Sequence, residues 1–137
     1  MRFKFNQLTT LFHVRNADFK TGILELYNDN KTRLFIIVAL IINILAWIAS
    51  IFFNANIEEK IIALHHNIYF GISLIGGPKQ VFFIPLLGLI IIIVNTIFSY
   101  LIRREDNFFV YLFTASTILI NIFLLLGLGS IILINFR

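Results

Sequence analysis

Three uncharged apolar runs, Leu34 to Phe53, Val81 to Ile102 and Phe108 to Phe136, alternate with segments that hold all the charged residues of the chain. Each reaches the roughly 20 residues that a helix needs to cross a hydrocarbon core of about 30 Å. None contains Asp, Glu, Lys, Arg or His. In lipid every backbone N–H and C=O must find its partner within the protein, and a helix does so locally. The pattern predicts an all-α membrane protein with three transmembrane helices, at about residues 34–53, 81–102 and 110–135. The third run is longer than a bilayer requires, so it either tilts or leaves Phe108, Phe109 and Tyr111 at the interface. The short link Arg103–Asn107 (RREDN) makes the second and third spans antiparallel neighbours. Pro85 falls in the first turns of the second span, where its missing N–H removes little.

The flanks are patterned too. In residues 1–33, Leu8, Leu11, Phe12 and Arg15 fit helical spacing, and Ile23, Leu24, Leu26 and Tyr27 form a second apolar stripe. This predicts an interfacial segment of one or two amphipathic helices whose Lys and Arg stems reach the headgroups. The alternation of Phe3 and Phe5 leaves a short initial strand open. Residues 54–80 are too apolar for a solvated loop. Ile62, Leu64, His66, Ile68 and Phe70 alternate as in a strand, although Glu58 to His66 also reads as a short helix. Gly71 and Gly76–Gly77–Pro78 punctuate the segment. The expectation is a helical turn at 57–60, then a strand-like or hairpin segment forming an ordered cap over the outer ends of spans one and two. The chain thus divides into an interfacial segment, 1–33, and a three-helix transmembrane domain, 34–137.

Charge sets the expected orientation. Six of the eleven Lys and Arg residues (Arg2, Lys4, Arg15, Lys20, Lys31 and Arg33) precede the first span, and Arg103 and Arg104 lie in the RREDN link. Lys60, Lys79 and Arg137 fall on the other side. Eight against three selects a cytoplasmic N-terminus and an external C-terminus, N-in/C-out, with 54–80 outside. A cleaved signal peptide fits poorly. The preceding segment is long and carries acids as well as bases, and the apolar run exceeds a signal core. The basic flank suits anionic lipid headgroups; no interleaving of basic and aromatic residues suggests nucleic acid. The absence of Cys excludes disulfides and thiolate chemistry.

Each span carries one central Asn on a face of small or polar residues. The first has Ala39, Asn43, Ala46 and Ser50, the second Gly88, Asn95 and Ser99, and the third Thr114, Thr117 and Asn121. Steps of three, four and seven place each set on one side of a helix, the mark of helix–helix contact in membranes. Asn43, Asn95, Thr117 and Asn121 are therefore expected to meet as a packing face. Translocation sites usually contain an ionisable group, and these runs have none. His65 and His66 are adjacent, so they point apart on either a helix or a strand and do not pair on one metal. With Glu58 or Glu59 they still fall short of a zinc ligand set. No phosphate-binding glycine loop, nucleophile elbow or metalloprotease motif occurs, and no cofactor or metal is expected.

The run Ala63-Leu64-His65-His66-Asn67, followed by Gly71, Lys79 and a span containing Pro85, resembles an extracytoplasmic signature of SdpI-type bacterial immunity membrane proteins and their relatives. That signature runs roughly I-P-x-H-x-N, then a glycine, a lysine and a span with a proline in its first turns. Here Leu64 stands in place of the proline, and the resemblance covers about residues 57–95. Short three-span proteins of reduced-genome bacteria that carry an LHYN-x-x-FG run are similar as well. The resemblance implies a multi-pass protein of the bacterial cytoplasmic membrane that senses or resists something outside the cell. His65, Asn67 and Lys79 are the main polar groups of the outer segment and the candidates for external binding. The expected function is non-enzymatic binding, as an accessory subunit, sensor or immunity-like factor, with another membrane protein or a second copy as partner. The alternative is an oligomeric pore or transporter-like subunit; a lipid-acting enzyme using His65, His66 and Glu58 or Glu59 ranks third.

Overall fold

The computed structural model describes residues 21, 22, 24, 26–58, 61–67, 71–103 and 107–136, with the backbone alone at 65–67 and 71–73. Helix α1 runs Asn30–Asn56, strands β1 and β2 run Ile62–Asn67 and Gly71–Gly76, and a 3-10 helix, Pro78–Phe82, leads into α2, Phe83–Ile102. Helix α3 is Asn107–Asn135. The three long helices are long and apolar enough to cross a membrane, the architecture of a multi-pass membrane protein. The expectations placed on Phe3, Phe5, Leu8, Leu11, Phe12 and Arg15 lie outside the described residues. Thr21, Gly22, Leu24 and Leu26 to Asn28 are helical, and Leu26 is buried.

The helices outrun their apolar cores because polar residues cap them. Asp29 Oδ2 accepts from the Thr32 backbone N–H at 3.0 Å and from the Thr32 hydroxyl at 2.6 Å. One of the orphan donors of the first turn is thereby satisfied, and α1 starts upstream of Leu34. At its other end α1 continues to Asn56, whose Nδ2 donates to Phe52 O at 2.7 Å. Ile57 then turns extended, with φ −86° and ψ 124°. This corrects the helical turn expected to begin at residue 57. The chain has to leave the helix axis there to bring Ile62 back beneath Phe53. Glu59 and Lys60 lie outside the described residues.

Helix α3 packs along both α1 and α2, which also touch each other. The bundle is apolar outward and small or polar inward. Ala39, Asn43, Ala46 and Ser50 of α1 are buried, as are Gly88 and Ser99 of α2 and Thr114, Thr117 and Asn121 of α3. Ile44, Ile48, Ile93, Leu119 and Phe123 are exposed. In a solvent as apolar as leucine, large side chains gain little by turning inward, while small ones let the backbones approach.

At one end a compact cluster of Ala46, Phe53, Ile62, Val81 and Leu128 joins α1, β1, the 3-10 helix and α3. Phe53 meets Phe136 edge to face at 5.5 Å, and Trp47 stacks on Phe82 at 6.1 Å. The strands form an antiparallel hairpin pairing Ile62 with Gly76, Ala63 with Ile75 and Asn67 with Gly71. Its register shifts between Ala63 and His65 and again between His65 and His66. Gly71 is therefore a strand residue, not punctuation. The hairpin sits against the ends of α1 and α3 through Ile62 and Ala63, while the 3-10 helix packs on α1. This corrects the expected position over spans one and two, and a side chain at the end of α3 is the cause.

Candidate functional sites: a polar seam and an anchored hairpin

A continuous chain of hydrogen bonds links all three helices. Asn43 Nδ2 on α1 donates to Asn121 Oδ1 on α3 at 3.1 Å and to Pro85 O on α2 at 2.9 Å. Asn121 Nδ2 donates to Thr117 O at 2.9 Å. The Thr117 hydroxyl accepts from Asn95 Nδ2 of α2 at 3.0 Å and donates to Phe113 O at 2.9 Å. The same Asn95 amide also reaches Ser116 Oγ and Phe113 O, each at 3.3 Å. Asn43 and Asn95 do not bond to each other; Asn121 and Thr117 connect them.

Local chemistry explains why this seam forms. Gly88 lies against the Asn43–Asn121 pair, and a Cβ there would stand 2.5 Å from both Asn121 Oδ1 and Asn43 Nδ2. Only glycine leaves room for two amides between the helices. Pro85 withholds a backbone donor, yet its carbonyl still accepts from Asn43. Ser99 and Thr114 turn their hydroxyls onto Asn95 O and Val110 O, both at 2.8 Å. Ser50 is different: its Oγ is fully buried without a partner. Pro85 O and Ser116 escaped sequence reasoning, the first because a backbone acceptor has no residue signature. Ser116 follows Ala115 one step before Thr117, so its position on the face could have been read.

At the hairpin end, Asn135 imitates a strand. Its Oδ1 accepts from Ala63 N at 2.8 Å and its Nδ2 donates to Ala63 O at 2.8 Å. The same Nδ2 donates to Ile131 O at 2.8 Å, which fixes the amide to its own helix. In an antiparallel pair a residue's N–H and C=O point the same way. Ala63 thus directs both at α3, and the primary amide completes the edge that β2 leaves open. Sequence reasoning missed Asn135, although an Asn one residue before the end of an apolar run was a visible signal. His65 and Asn67 lie on β1 by their backbone, and their side chains are outside the described residues. Lys79 is exposed in the 3-10 helix next to the hairpin.

At the opposite end, Leu26, Asp29, Thr32, Arg103, Asn107 and Tyr111 line a polar cavity of about 180 Å³. The Thr32 hydroxyl bond holds the Asp29 carboxyl below its ordinary value of 3.8; desolvation opposes this, and the Thr32 and Lys31 amides and the Tyr111 hydroxyl add to it. Arg103 donates to Tyr100 O at 2.7 Å and lies over the Tyr100 ring at 4.2 Å, and its guanidinium fills the space beside Gly22. Among the described residues no three His, Cys, Asp or Glu side chains come together as a metal site would require. Comparison with family models, curated proteins and solved structures finds no match, so the SdpI-type resemblance rests on the residues that carry it.

Proposed function

We propose that this chain is a non-enzymatic integral membrane protein of the bacterial cytoplasmic membrane that acts by binding, through the hairpin platform on its external side. The observation that carries the reading is the Asn135–Ala63 pairing, two bonds of 2.8 Å that fasten the hairpin to a membrane helix. The anchor fixes the hairpin in one position, as a preorganised binding surface requires. His65, Asn67 and Lys79 belong to this platform and its border, in a segment otherwise rich in apolar residues. The partner class is another membrane protein or a second copy, and the basic N-terminal flank faces anionic headgroups on the inner side. The partial likeness to SdpI-type immunity proteins points in the same direction.

The polar seam favours binding over conduction. Its amides are directed at one another and at backbone carbonyls, which leaves few groups to accompany an ion. A photo-crosslinking residue at the exposed Ile75 tests the reading in intact cells. The expected result is an adduct with one membrane protein or a second copy, lost in the His65→Ala, Asn67→Ala, Lys79→Ala triple variant while insertion persists. An adduct insensitive to that variant, or none, overturns it. Ion flux from the purified protein in liposomes would establish the pore alternative instead.

A further inference from the structure

An apolar slot of about 310 Å³ lies between α1 and α2 at the end remote from the hairpin. Its walls are α1 from Arg33 to Leu40 and α2 from Thr96 to Tyr100, and Leu26 and Tyr27 close it above. Thr96 contributes carbon, because its hydroxyl donates to Ile92 O at 2.7 Å. Ile37 and Ile97, 43% and 52% exposed, open the slot towards the surrounding lipid. The seven-residue step from Arg33 to Leu40 gives it a length of about 10 Å along the helix.

Arg33 stands at its mouth. Its Nη2 donates to Asn30 Oδ1 at 2.9 Å, and the guanidinium lies over the Tyr27 ring at 5.4 Å. Neither partner is charged, and among the described residues no carboxylate lines the slot. A guanidinium offers five donors, so several remain for an anion. We propose that the slot binds one acyl chain of an anionic phospholipid whose phosphate sits on Arg33. An apolar wall with one cation at its end matches the chain and headgroup of an anionic lipid, whereas a partner helix would need no anion there. The apolar wall decides against water or a polar solute. The inference rests on the membrane-spanning reading and is independent of the hairpin.

The test uses the full chain purified in a non-denaturing detergent, with retained lipid read by native mass spectrometry. Dioleoyl-phosphatidylglycerol is offered against dioleoyl-phosphatidylcholine. The wild type should retain one phosphatidylglycerol in preference. Arg33→Gln should reduce that preference about fivefold, the effect of one basic residue at a membrane surface. Ile97→Trp should abolish retention of either lipid, while Leu133→Trp, on an exposed face at the hairpin end, should change nothing. Should Ile97→Trp fail to insert, Ile37→Trp fills the slot from the opposite wall. Equal retention of both lipids by the wild type overturns the proposal, as does unchanged retention in the filled variant. So does a dimer that the filled variant dissociates, which assigns the slot to a second copy, or stronger retention on deleting residues 1–20, which assigns it to that segment.

Discussion

At Gly88 a single hydrogen atom keeps two helices at bonding distance. A methyl group there would press on Asn121 Oδ1 and Asn43 Nδ2 at 2.5 Å and on Leu124 Cδ1 at 3.3 Å. The Leu124 methyl can yield; the amides cannot without parting from each other. Gly88→Ala should therefore destabilise the bundle by about 1–3 kcal/mol, the cost of overpacking a tight site. Asn95→Leu should cost about 1–2 kcal/mol or less, because states unfolded within the membrane also find partners for an amide. Reversible unfolding in mixed micelles measures both. Ser50→Ala should move the other way. Its hydroxyl is buried and unpaired, so removing it should leave stability unchanged or raise it by up to about 1 kcal/mol. A loss larger than 1 kcal/mol would mean that the hydroxyl has a partner.

The helices and their caps carry the next level of specification. Asn135→Ala would leave Ala63 N–H and C=O without the groups that now pair them. The cost, about 1–3 kcal/mol, should fall on the hairpin and not on the bundle. Hydrogen exchange should accelerate at β1 and β2 and stay unchanged across α1. Asp29 acts at the other end. Its carboxyl is held below 3.8, so its contribution to the α1 cap is complete above that value and is lost as pH falls through the lower folded value. Protection of the first turn of α1, taken relative to the intrinsic exchange rate at each pH, should be flat from pH 5 to 8 and fall only under stronger acid. Asp29→Ala, at a cost of about 1 kcal/mol, should remove that dependence. These elements also mark what the sequence could convey. The three runs and their three- and four-residue steps made the helices and the seam readable, since lipid leaves a helix few alternatives. The hairpin was half readable from alternation, because a short apolar run fits helix or strand. The position of the hairpin was not readable, since it depends on Asn135, more than 70 residues away in sequence. The helix ends were missed because Asp29, Thr32 and Asn56 cap from outside the apolar pattern.

On the scale of the whole molecule, the orientation we propose rests on charge outside the hydrocarbon. The spans themselves are silent: an uncharged helix inserts equally well in either direction. The bias comes from eight basic residues on the side of the N-terminus and RREDN, against three on the side of the hairpin and Arg137. The orientation proposed on this count has the hairpin outside. Reporter fusions at Asp106 and after Arg137 should therefore read cytoplasmic and external. Replacing Arg103 and Arg104 with Gln still leaves six basic residues against three, so the same readings should persist. An external signal at Asp106 in the parent chain would turn the hairpin towards the cytoplasm, and with it the binding surface proposed for His65, Asn67 and Lys79.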